Sequence, residues 1–331
     1  MVVPVKNTAP QIKGVVLAMV SIALGYVLAL LWLDQRKQVF AQLPVLVSAM
    51  PVILLCALTS YALRILRFRC LLQRAGHTLA WRHCTVIYLA GFAFTASPGK
   101  LGELIRMRYL STHGVPPTTA IGEFFYERLF DLIAVLMLST LAIGHLPGLG
   151  IATGFVAIVA SAVLALSWFP RPIECLSKRA NDLGWSRVAD ALSTFARGIA
   201  GLRHWCTVRD VAGTLALSLT IWMVVSLAFV WLLVQLHIQI DLPLALAITP
   251  LASLVGAASM LPGGLGSTEL ATAAALVVLG APVATATLAT VGIRLGTMWF
   301  AMLLGMGALM SLESRLYTSN AVSDASRSLD R

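Results

Sequence analysis

The chain has 331 residues, 59% of them hydrophobic and 11% charged, with a mean hydropathy of +0.87. A soluble domain carries roughly 25% charged residues, so this composition excludes an ordinary soluble enzyme or nucleic-acid-binding module and indicates an integral membrane protein. The net charge of +10 gathers in a few segments, as the positive-inside rule describes for multi-pass chains.

In chain order, Lys6 and Lys13 precede an apolar stretch at 14–33. It is too long for a signal-peptide core and is read as a retained first span. A second span is expected at 43–63. The basic residues Arg64, Arg67, Arg69, Arg74 and Arg82 that follow are read as a cytoplasmic loop. The apolar run 85–97 is short for a crossing and ends at "PGKLG" (98–102), followed by Glu103 and a short helix to about Leu110. Spans are expected at 120–143 and 151–168. The segment 170–210 holds Arg171, Lys178, Arg179, Arg187, Arg197, Arg203 and Arg209. It is amphipathic in places, with Val188, Leu192, Phe195 and Ile199 at helical spacing, and is read as cytoplasmic, either lying on the inner membrane surface or simply joining two halves. A span at 211–236 follows. The run 244–261 then ends at "PGGLG" (262–266), with Glu269 behind a Ser/Thr/Glu helix start. The last span is expected at 284–312, and the Ser-rich tail 318–331 is expected to be disordered.

This order gives the fold class. Every basic loop falls on one side only if each Pro-Gly region enters and leaves the membrane on the same side. The expectation is an all-α polytopic protein of about six full spans plus two oppositely oriented re-entrant hairpins, arranged as an inverted repeat. It forms one transmembrane domain, 1–317. The first half is 43–169, the second is 211–312, and 170–210 joins them. Both termini are expected in the cytoplasm. Paired Pro/Gly-interrupted apolar segments at corresponding places point to a site at the bilayer midplane.

A charge at the bilayer centre costs about 2.5–3.5 kcal/mol, so each such residue needs a partner or a polar cavity. The candidates are Lys100, Glu103, Glu127, Arg128, Asp131, Glu269 and Arg294, with Glu123 nearer the end of its span. Glu123, Glu127 and Asp131 share one helical face. Arg128 and Asp131 are spaced to pair. Arg294 stands between Gly292 and Gly296, which permit close helix approach, and has Glu269 and the acids of the first half as plausible partners. Lys100 beside the glycines of its turn offers an anion cradle. Pro98, Gly99, Gly102, Pro262, Gly263, Gly264 and Gly266 form the two turns. No P-loop, hydrolase triad or metal-ligand cluster is found, and no cofactor is expected.

At "SPGKLGELIR" (97–106), "ERLFDL" (127–132) and "LPGGLGSTE" (261–269) the chain resembles the flippase-like family of the lysylphosphatidylglycerol synthase transmembrane region. The resemblance extends from about residue 43 to 312. It implies a multi-pass protein of a bacterial or archaeal plasma membrane, associated with lipid translocation, with the motif residues above as its functional positions. The bifunctional relatives add a soluble domain that makes the aminoacylated lipid; this chain is read as a stand-alone member without it. The function expected is a flippase for an anionic or phosphate-bearing lipid, such as a phospholipid or a polyprenyl-phosphate-linked lipid. The alternatives are a non-catalytic scaffold that recruits a lipid-modifying enzyme at the cytoplasmic face and a membrane enzyme acting on a lipid phosphate.

Overall fold

The computed structural model describes residues 43–97, 103–142, 171–186 and 207–329, with positions 154, 158, 188, 189, 192, 193, 196, 201 and 205 between them. The spans expected at 14–33 and 151–168 lie outside these residues. So does the first turn, with Pro98, Gly99, Lys100 and Gly102. All regular structure among the described residues is helical.

Helix α1 (Leu43–Arg74) buries Leu46, Ala49, Ile53, Ala57 and Tyr61 at spacings of three and four, and leaves Val47, Leu55 and Leu58 exposed on the other side. An apolar face buried in protein with another left exposed is the pattern of a helix that meets both neighbours and lipid. The helix runs past the expected end at residue 63 because Arg64, Arg67 and Arg69 are good helix formers and neither Pro nor Gly intervenes. Next come α2 (Trp81–Phe92), a 3-10 turn at 103–105, α3 (Arg106–Ser111) and α4 (Pro117–Ser139). Helix α5 (Arg171–Asp182) belongs to the connecting segment. The second half contains α6 (Val208–Gln235), α7 (Leu242–Ala258), a 3-10 turn at Pro262–Gly264, α8 (Ser267–Val278) and α9 (Val283–Arg294). A π-helical turn, Leu295–Trp299, joins α9 to α10 (Phe300–Leu329). Residues 318–329, expected as a disordered tail, continue α10 as helical backbone; no Pro or Gly follows Gly307 to stop it.

Three stretches among the described residues are long and apolar enough to cross a membrane: Leu43–Arg74, Val208–Gln235 and Val283–Ser314. Helix α4 has the length of the span expected at 120–143, but Glu123, Glu127, Arg128 and Asp131 deny it the composition. The lone apolar runs α2 and α7 have 12 and 17 residues, fewer than the roughly 20 that a crossing needs.

The halves are interleaved. Helices α1 and α6 pack along each other, with Ala49 and Ile53 against Phe229 and Leu232. Helix α2 packs on α10 of the other half, and α7 packs on α4. The α2–α10 contact is nearly backbone to backbone: a Cβ on Gly305 would lie 2.3 Å from Ala93 N and 2.8 Å from Leu89 O. Only glycine fits there, as at the close crossings of membrane helices.

Candidate functional site

The expected face of α4 forms, and its partners come from elsewhere than the sequence pattern suggested. Glu123, Glu127 and Asp131 are all buried, including Glu123, which had been placed nearer the interface. The side chains opposite them are Arg64 and Arg67 of α1. These two were read as loop charges that mark the cytoplasmic side; they lie instead inside the helix and face the core. Arg67 is 1% exposed. Its Nη1 donates to Asp131 Oδ1 at 2.7 Å and to Ser218 Oγ of α6 at 2.6 Å, and its Nε to Glu127 Oε1 at 3.3 Å. Arg64 Nη1 reaches Asp131 Oδ2 at 2.8 Å. One carboxylate thus binds two guanidiniums from successive turns of α1.

Arg106 is a second correction. It closes the first of the family-like stretches, 97–106, and was not singled out as a site residue, yet its side chain is buried. Its Nη1 donates to Glu127 Oε2 at 3.4 Å, and its guanidinium lies 4.6 Å from the ring centre of Tyr88 and 5.4 Å from that of Phe68. Aromatic faces stabilise a buried cation, and the carboxylate balances its charge. This pins the start of α3 to α1, α2 and α4 together.

Arg128 and Arg294 occupy equivalent places. Arg128 Nη2 donates to Glu103 Oε2 at 3.3 Å, and lies 3.9 Å from Asp131, as its spacing predicted. Arg294 Nε donates to Glu269 Oε1 at 2.7 Å, one of the partners expected for it, and its Nη2 to the carbonyl of Gly263 at 2.8 Å. Each arginine follows its glutamate by 25 residues. Each pair links the residue just after a Pro-Gly turn to the long helix behind it. In the second half Ser267 does not cap α8, whose N-cap is Gly266. Its hydroxyl pairs with Ser259 at 2.8 Å and donates to Gly264 O, closing the turn from within.

The second turn lies against the end of the first apolar run. Gly263 adopts φ 61°, a left-handed conformation that glycine takes without cost. A Cβ there would lie 3.2 Å from Ala96 Cα, two residues before the first Pro-Gly turn. Around this contact lie two cavities of about 210 and 140 Å³. Both are bordered by Arg128, Trp222, Gly263, Thr268 and Arg294. The larger has apolar walls of Leu132, Val135, Leu254 and Leu261. The smaller adds Arg64, Thr95 and Glu103. Among the described residues, Arg128 Nε, Trp222 Nε1 and Glu269 Oε2 are buried without a hydrogen-bond partner. Buried polar atoms of native proteins are nearly always paired, so donors left over at a chamber point to a ligand's acceptors.

The structure therefore brings Glu103, Glu127, Arg128, Asp131, Glu269 and Arg294 into one region, with Glu127 behind the chamber wall. Lys100 lies outside the described residues. Arg64, Arg67, Arg106 and Ser218 were missed as site residues. The only sequence signal for the arginines is general: buried Asp131 and Glu127 require cationic partners, but Arg64 and Arg67 stand 60–67 residues away along the chain.

These features define a class: an all-helical integral membrane protein with a paired charge network around a chamber that both halves border. The family follows from the sequence comparison. The model of the lysylphosphatidylglycerol synthase TM region matches residues 15–305, most of the chain, and the chain belongs to that family. No curated protein matches it. Membership implies a role concerned with membrane lipids.

Proposed function

We propose that this protein is a lipid flippase whose chamber receives the headgroup of an anionic or phosphate-bearing lipid while the acyl chains stay in the bilayer. The observation that carries the reading is the shared chamber. Arg128 and Arg294 face it from the two halves, with Arg64 and the unpaired indole N–H of Trp222 beside them, and the larger cavity adds apolar walls. Guanidinium is the side chain best suited to bidentate binding of phosphate oxygens. The Pro-Gly turns serve as tips of two re-entrant hairpins of opposite orientation in an inverted repeat, and one half rocks against the other to alternate access. Lys100 joins the site from the first turn. The lipid leaves chemically unchanged. Outward movement of one negative charge gains about 2.3 kcal/mol per 100 mV of inside-negative potential, so an anionic substrate needs no ATPase. The setting is a bacterial plasma membrane with both termini in the cytoplasm.

The test uses proteoliposomes carrying a fluorescent phosphatidylglycerol reporter and an impermeant quencher. Arg128→Gln and Arg294→Gln each remove a charge-assisted contact and are expected to slow flipping about tenfold or more, with Lys100→Ala in the same direction. Wild-type rates in all three folded variants would overturn the site. A chemically altered lipid would make the protein a group-transfer enzyme instead.

A further inference from the structure

The connecting segment carries a surface that the chamber does not use. Leu176 and Ala180 of α5 and Leu183, in the turn just after it, follow one another at spacings of four and three. Ala180 is buried, and Ser177 Oγ donates to Ala189 O at 2.8 Å, so the chain folds back on α5 at this stripe. What remains outward is strongly apolar: Leu176, Leu183, Trp185 and Val188 are all exposed, Trp185 at 62%. Lys178 and Arg179 are exposed beside them. Over 171–210 the sequence has seven Lys or Arg against four Asp or Glu.

The depth of this surface is set at its far end. Trp205 is 1% exposed; its indole N–H donates to Leu71 O of α1 at 3.0 Å, and its carbonyl accepts from Tyr126 of α4 at 2.7 Å. Arg74 and Asp210 pair at 3.0 Å. Helix α1, at 32 residues, is about 48 Å long against a hydrocarbon core of about 30 Å. A helix of that length extends beyond the hydrocarbon core, and Trp205 is held at the last turn of its Arg-bearing end.

We infer that the segment beginning with α5 is a docking element for the anionic lipid leaflet on its own side of the membrane, with Leu176, Leu183, Trp185 and Val188 entering the interface and Lys178 and Arg179 meeting acidic headgroups. An amphipathic helix with a basic polar face and a neighbouring tryptophan is the form such interfacial elements take. The charge excess commits the occupant to an acidic leaflet, because neutral lipid gains nothing from it. The occupant is the membrane around the protein, so the inference is independent of what the chamber carries.

The experiment places a bimane label at Leu183→Cys in the full chain, in a background without its native cysteines, reconstituted into vesicles of phosphatidylcholine alone or with phosphatidylglycerol. Brominated acyl chains report burial in the leaflet and iodide reports exposure to water. The expected result is leaflet quenching in the acidic vesicles, with the docked-to-free ratio raised about a hundredfold over neutral ones and lowered again by salt. Lys178→Glu with Arg179→Glu is expected to abolish the lipid dependence. Exposure to iodide in both vesicle types overturns the inference and leaves the face for a protein partner. Equal burial in both overturns the acidic commitment.

Discussion

Asp131 is the residue on which most of the buried charge converges. Arg64 and Arg67 reach it within 2.8 Å and Arg128 lies 3.9 Å away. Removing one partner of a buried pair leaves the other charge without compensation, at about 3–5 kcal/mol. Asp131→Asn should therefore lower the thermal midpoint of the detergent-solubilised protein markedly. Thr297→Val is the useful contrast: the Thr297 hydroxyl donates to the carbonyl of Ile293, four residues back in the same helix, and its loss should cost about 1 kcal/mol. A midpoint for Asp131→Asn equal to that of wild type would show that the three arginines do not depend on it. At this scale the sequence was half legible. Spacing along one helix gave the pairing of Arg128 with Asp131. Arg64 and Arg67 escaped because a cluster of arginines after an apolar run reads the same whether the helix continues or a loop begins.

Among the elements, α4 and α2 show what packing adds to pattern. Helix α4 has only moderate hydropathy, yet most of its residues are buried, since α6 and α7 cover it. It is held inside protein and so can carry four charges that lipid would reject. Helix α2 is too short to cross and depends on its close contact with α10. Gly305→Leu would drive a side chain into the backbone of residues 89–93 and should destabilise by about 3 kcal/mol. Gly307→Leu, two residues further along the same helix, meets nothing within 4 Å and should be close to neutral. Equal unfolding midpoints for the two variants would argue that α2 does not rest on α10. The two helix breaks were legible in their prolines and glycines. The partners of the flanking helices were not, because a 12-residue apolar run carries no record of which helix it will meet.

Across the whole molecule, the halves share a plan but not a charge pattern. Shifting Glu103 and Arg128 by 166 residues gives Glu269 and Arg294. The same shift turns Arg106, Glu123, Glu127 and Asp131 into Thr272, Ala289, Ile293 and Thr297. The common part is one glutamate–arginine pair behind each Pro-Gly turn; the extended ionic network belongs to the first half alone. That makes the first half the more rigidly cross-linked and the second, held at its tip by Arg294 on Gly263, the better candidate to move. A covalent staple tests this. An ideal Cβ on Gly263 lies 3.7 Å from Ala96 Cβ, within the range for a disulfide. Ala96→Cys with Gly263→Cys should cross-link on mild oxidation, stop flipping and recover on reduction. Full activity in the oxidised, cross-linked protein would mean that the tips need not part.

The amino-acid sequence by itself determined that this protein lives in a membrane, that it is helical, where two of its helices break, and that Arg294 needs an acidic partner. These properties are local, because hydropathy, helix breakers and residue spacing act within a few turns of chain. Only the tertiary structure decided that Arg64, Arg67 and Arg106 point inward, that Gly263 of the second turn meets Ala96 at the end of the first apolar run, and that Arg128 and Arg294 face a common chamber. A helix's rotation about its axis is set by the neighbours it packs against, and those neighbours lie far away along the chain: Ser218 is 151 residues from Arg67, and Thr297 is 236 from Tyr61.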